Sequence, residues 1–136
     1  MKARILVSLM VACGTAQASD WVSLGKTSDG KQEHLVDVSS IRVAGNIRRA
    51  WIKVIYAHQT LKGFDDDVQK WQNYAVSRTA FDCSQETARY EALNVYFDDG
   101  TTYSVPANTY PTPWEPVAPD TASHAEMQYV CTWKAK

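Results

Sequence analysis

The chain has 136 residues, with 14 Lys and Arg against 15 Asp and Glu, for a net charge of −1 with the histidines neutral. That length suits a single domain. The charge balance lacks the basic excess that a nucleic-acid partner demands, so no nucleic acid is expected.

The first residues read as an export signal. Lys2 and Arg4 form a positive segment, and Ile5 to Ala12 form a short apolar one. Ala16-Gln17-Ala18 then offers the small-x-small pattern that signal peptidase accepts. The apolar run is far below the roughly 20 residues needed to cross a bilayer, and no later stretch replaces it, so no transmembrane helix is expected. Cleavage after Ala18 makes residues 1–18 a signal peptide and residues 19–136 the working domain. A second route stays open. Met10-Val11-Ala12-Cys13 is a loose lipobox that would leave a lipid anchor on Cys13. Removing residues 1–18 leaves 12 basic and 15 acidic residues, a net charge of −3. It also leaves Cys83 and Cys131 as the only cysteines, and in an oxidising compartment two cysteines imply one disulfide.

Along the remaining chain, Trp21 to Leu24 starts a strand that ends in the turn cluster Ser28-Asp29-Gly30-Lys31. His34 to Asp37 makes a second strand, and Ala44-Gly45-Asn46 a turn. Ile47 to Tyr56 gives the strongest alternation. Ala50, Ile52, Val54 and Tyr56 share one face; Arg49, Trp51, Lys53 and Ile55 share the other. His58 to Val68, with Asp65-Asp66-Asp67, reads as a polar loop. The three aspartates are read as solvated rather than as a cation site.

Lys70 to Cys83 alternates again, with Tyr74, Val76 and Ala80 on one face and Trp71, Ala75, Phe81 and Cys83 on the other. Arg89 to Phe97 and Thr101 to Val105 flank Asp98-Asp99-Gly100, a hairpin signal. Residues 106–119 hold all five prolines and cannot form central strand or helix interior. Ser123 and Glu126 match a capping box, and Met127, Val130 and Cys131 follow at helical spacing, with the Lys134 stem on the same side. A terminal helix from Ser123 to Trp133 results, tied to the sheet through Cys131 and Cys83.

No catalytic group or cofactor motif assembles. His34, His58 and His124 lack metal-ligand spacing, and neither a nucleophile elbow nor a phosphate loop is present. The five tryptophans point instead to packing and protein binding. Trp51 and Trp114 are assigned to the core. Trp71 and Trp133 are assigned to a partly exposed groove which, with Arg48, Arg49 and Lys53, would accept a peptide.

Taken in order, Trp21, Val36-Asp37, Ser40-Ile41, Arg49-Ala50-Trp51, Cys83, Tyr96, Asp98 to Gly100, Trp114 to Pro119 and Cys131 resemble the surface-adhesin protein E family of exported bacterial proteins. The resemblance spans nearly the whole working domain. It implies an α+β fold, an antiparallel sheet of about six strands with a C-terminal helix tethered by one disulfide. It also implies attachment to host matrix or plasma proteins such as vitronectin, laminin or plasminogen. The family carries no catalytic residue onto this chain. The competing expectation is a periplasmic structural or assembly factor that binds an envelope partner.

Overall fold

The computed structural model describes residues 18–62 and 69–136. Within them, eight strands and one α-helix follow one another, with short 3-10 turns at Val38–Ser40 and Ala107–Thr109: β1 (Trp21–Lys26), β2 (Gln32–Asp37), β3 (Arg42–Ala44), β4 (Ile47–Lys62), β5 (Gln69–Asp82), β6 (Thr87–Phe97), β7 (Thr102–Ser104), β8 (Glu115–Pro116) and α1 (Ala122–Thr132). All strand pairs are antiparallel. Six strands run in the order β1-β2-β4-β5-β6-β7, while β3 adds to β4 and β8 to β6. The α+β architecture expected from the sequence is therefore present, with two short strands beyond the six.

Register explains how the alternation becomes two faces. Val36 lies beside Ile52, and Ile52 beside Ser77. Side chains in one such row share a face, because successive residues of a strand point to opposite sides. The face holding Val36, Ala50, Ile52 and Phe81 is covered by Met127 and Val130 of α1, and Ile41 completes this cluster. Phe81, Ile52, Val36 and Val130 are fully buried. Each contributes roughly 1.5–3 kcal/mol on leaving water.

The helix is fixed at both ends. At its start, Thr121 is the cap, and its hydroxyl accepts from the backbone N–H of His124 at 3.2 Å. Ser123 and Glu126 therefore do not form the expected capping box. Ser123 already lies inside the helix, and Glu126 turns to the sheet, where it lies 2.6 Å from His34 Nδ1. At the far end, Arg48 Nη1 donates to the carbonyls of Val130 at 3.0 Å and Trp133 at 2.6 Å. Cys83 and Cys131 are bonded, with their Cα atoms 5.7 Å apart.

Three further expectations change. β4 continues to Lys62 and pairs with Gln69 to Gln72, so residues 58–62 are strand rather than loop. The sequence offers no clean alternation there because a bulge between Ile55 and Gln59 breaks the period. Asp65-Asp66-Asp67 lies outside the described residues. β3 was not anticipated; three residues are too few to show a period. Lys134 lies beyond the helix and is exposed.

Candidate functional site

Among the described residues, the second face of the sheet carries no α-helix. Its rows follow from the register. Arg42, Arg49, Ala80 and Arg89 lie side by side across β3, β4, β5 and β6. The next row brings Trp51 beside Arg78. Beyond it come Leu35, Lys53, Val76 and Asn94, and then Ile55, Tyr74 and Tyr96 on a further row. Cross-strand neighbours are the sites where side chains interact in a sheet.

Three arginines on this face, Arg49, Arg78 and Arg89, surround the Glu91 carboxylate. Glu91 occupies a bulge of β6, between the pairs Arg78–Ala92 and Thr79–Tyr90. The extra residue lets its side chain lie on the open face, with those of Arg89 and Ala92. Its Oε1 accepts from Arg49 Nε at 2.7 Å and lies 3.6 Å from Arg78 Nε, while Oε2 lies 3.3 Å from Arg89 Nη2. Burial pushes the Glu91 carboxyl upward, but the Arg49 hydrogen bond and the charges of Arg49, Arg78 and Arg89 outweigh it and hold the group below its ordinary value. One carboxylate thus serves three guanidinium groups. Ala80, at the centre of the row, is fully covered.

Aromatic rings interleave with the charges. Arg89 lies over the Trp114 ring at 4.5 Å. Lys53 Nζ lies 4.2 Å from the Trp21 ring centre and 5.3 Å from that of Tyr74. Tyr74 stacks on Tyr96 with centres 4.4 Å apart and an interplanar angle of 16°. Arg42 donates from Nη1 to the carbonyls of Ser39 and Ile41, which fixes its head. A depression of about 210 Å³ lies between Ser40, Arg42, Arg49, Ala50, Trp51 and Arg78.

The residues proposed from sequence are distributed over both faces. Arg49 and Lys53 lie on the open face. Arg48 points the other way and is spent on the helix end beside Trp133, which packs against the core. Trp71 is 44% exposed, but it lies ten residues along β5 from Phe81, the partner of Arg48. On a strand that is on the order of 30 Å. Trp71 and Trp133 therefore do not line one groove. Trp114 is 36% exposed under Arg89 rather than in the core, while Trp51 is partly buried. Arg42, Arg78, Arg89 and Glu91 were not singled out from sequence. Arg42 and Arg89 join Arg49 only through pairing across strands, which a linear pattern does not display.

The helix side has a different character. His34 and Glu126 meet between β2 and α1, and burial, with Glu126 nearby, raises the Tyr56 and Tyr90 hydroxyls above their ordinary value. Among the described residues, no three His, Cys, Asp or Glu side chains converge as a metal site would need. No helix among them is long and apolar enough to cross a membrane.

The family model described as Surface-adhesin protein E matches residues 21–132. No curated protein matches the chain in sequence. Among solved structures, crystal form II of Haemophilus influenzae protein E is similar at 14% identity, with a TM-score of 0.57, over 91% of this chain and 96% of that one. Another structure of the Haemophilus influenzae protein gives 16% identity and 0.57, over 89% and 90%. Protein E from a non-typeable strain gives 15% and 0.50, over 89% and 81%. At these identities the likeness is one of fold.

Proposed function

The chain belongs to the surface-adhesin protein E family, and from that premise we propose that it is an exported, non-enzymatic binding protein that attaches to a macromolecular partner through its open sheet face. The observation that carries the reading is the concentration of Arg42, Arg49, Arg78, Arg89 and Lys53 with aromatic rings on one uncovered face of a chain whose net charge is only −1. Charge gathered on one face steers an oppositely charged partner to it, and Arg and Trp are the residues that most often carry binding energy. The partner class is host matrix or plasma protein, with vitronectin, laminin and plasminogen the first to test.

The test is antibody labelling of the domain on intact cells, with permeabilised cells as control, followed by binding of the purified domain to those three proteins. Labelling of intact cells with saturable binding supports the reading. Labelling only after permeabilisation overturns host attachment and leaves a periplasmic factor with an envelope partner.

A further inference from the structure

The depression beside Trp51 has a chemistry more specific than a positive surface. Three of its six lining residues are arginines; Glu91 pairs with two of them, Arg49 and Arg78, and is shared with Arg89 outside the depression, while Arg42 makes no ion pair among the described residues. Arg42 uses only Nη1 on protein carbonyls, and among the described residues its Nε and Nη2 have no protein partner. Arg78 is half exposed and only loosely engaged with Glu91. Several guanidinium N–H groups thus remain to be satisfied by a ligand, in the planar fork that matches carboxylate and sulfate oxygens. Between them lies an indole whose N–H, among the described residues, donates to no protein acceptor.

We infer that this depression is a subsite for a sulfated, uronate-bearing linear polysaccharide of the glycosaminoglycan type, with a sugar ring laid against Trp51 and its anionic groups held by Arg42, Arg49 and Arg78. The inference deepens the binding reading above and rests on it for the partner's location. Charge complementarity sets the sign of the ligand. The indole sets its class: a flat π face attracts the polarised C–H bonds of a sugar ring, and its N–H serves a hydroxyl. An acidic peptide would use the arginines and leave the ring with little to do. The site also continues along the sheet. Arg49, Trp51, Lys53 and Ile55 follow one another on this face of β4 at about 6.6 Å per step. Lys53 is steadied over the Trp21 ring. Arg49, Trp51 and Lys53 therefore place cation, aromatic and cation in a line, which suits a polymer in which sugar faces and anionic groups also recur.

The experiment titrates the purified protein with a defined heparin octasaccharide, reads affinity by calorimetry, and follows the Trp51 indole N–H by heteronuclear NMR. That signal is assigned with Trp51→Phe. The expected result is saturable binding that weakens steeply as salt screens the charges, with the Trp51 signal shifting along the same curve. Arg42→Ser with Arg78→Ser should weaken binding by about tenfold or more, since charge-assisted contacts are lost. Lys31→Ser, in the exposed β1–β2 turn, should leave it unchanged. Both arginines are exposed, so an unaltered melting curve separates loss of ligand from loss of fold. Absence of binding, or binding that ignores the double variant, overturns the inference. So does a poly-glutamate peptide that binds equally well and is equally sensitive to that variant; the face would then read charge alone and take an acidic protein segment. Labelling of intact cells together with a failed heparin titration discards this subsite and keeps the adhesin reading. The reverse pair keeps the subsite and discards host attachment.

Discussion

Arg48 and Arg49 are consecutive in the chain and do unrelated things, because a strand sends them to opposite faces. Arg48 satisfies two carbonyls at the helix end that have no partner within the helix. Charged hydrogen bonds of this kind contribute about 1.5–3 kcal/mol, so Arg48→Ala should cost about 2 kcal/mol, visible as a lower melting temperature. Arg49 is held by Glu91. Because the folded Glu91 carboxyl titrates below its ordinary value of 4.5, its contribution to stability is complete above that pH. It is lost as the pH falls through the lower folded value. Glu91→Gln should therefore melt earlier than the native chain at pH 7, with the gap closing in acid. A gap that held constant to pH 3 would show that the carboxylate charge does not matter. The aromatic and basic residue types were legible in the sequence. Their partners were not, since Glu91 reaches its three arginines through a bulge that leaves no mark in the linear pattern.

At the scale of elements, the helix separates what periodicity can and cannot reveal. Its existence, its buried Met127 and Val130, and its disulfide were all readable. Its cap was not. Ser123 and Glu126 satisfied the spacing rule, but Thr121 lies two residues earlier with extended backbone and takes the role. Thr121→Ala should cost about 1 kcal/mol of stability, whereas Ser123→Ala should change the melt by only a few tenths. The disulfide joins residues 48 apart. Loop closure of that length gives about 4 kcal/mol as an upper figure. Cys131→Ser should accordingly melt well below the native chain and become insensitive to reductant. The same melt with and without reductant in the native protein would contradict a stabilising role. β4 shows the other limit: its outer end remains strand across a bulge, where alternation fails although pairing continues.

For the whole molecule, the division of labour between faces is the main outcome. One face was legible as core from the run Ala50, Ile52 and Val54, and the helix covers it. The other was legible only as mixed. Its meaning emerges when β3, β5 and β6 are laid beside β4 and three arginines fall into one row. Substitutions that remove positive charge from this face, such as Arg78→Ser, should slow association with an anionic partner more than they speed dissociation, with the difference fading at high salt. A stopped-flow series in salt measures it.

The two strongest attachments of α1, the bond at Cys131 and the Arg48 clamp on Val130 and Trp133, sit at the same end. The opposite end relies on the Thr121 cap and the His34–Glu126 contact. The helix is thus held by unequal attachments at its two ends, and the opening expected first is a lift from the His34 side while the Cys83 side stays put. Amide hydrogens should record this as a gradient, exchanging first near Glu126 and last near Thr132. Reducing the disulfide should flatten that gradient before the sheet beneath it loosens.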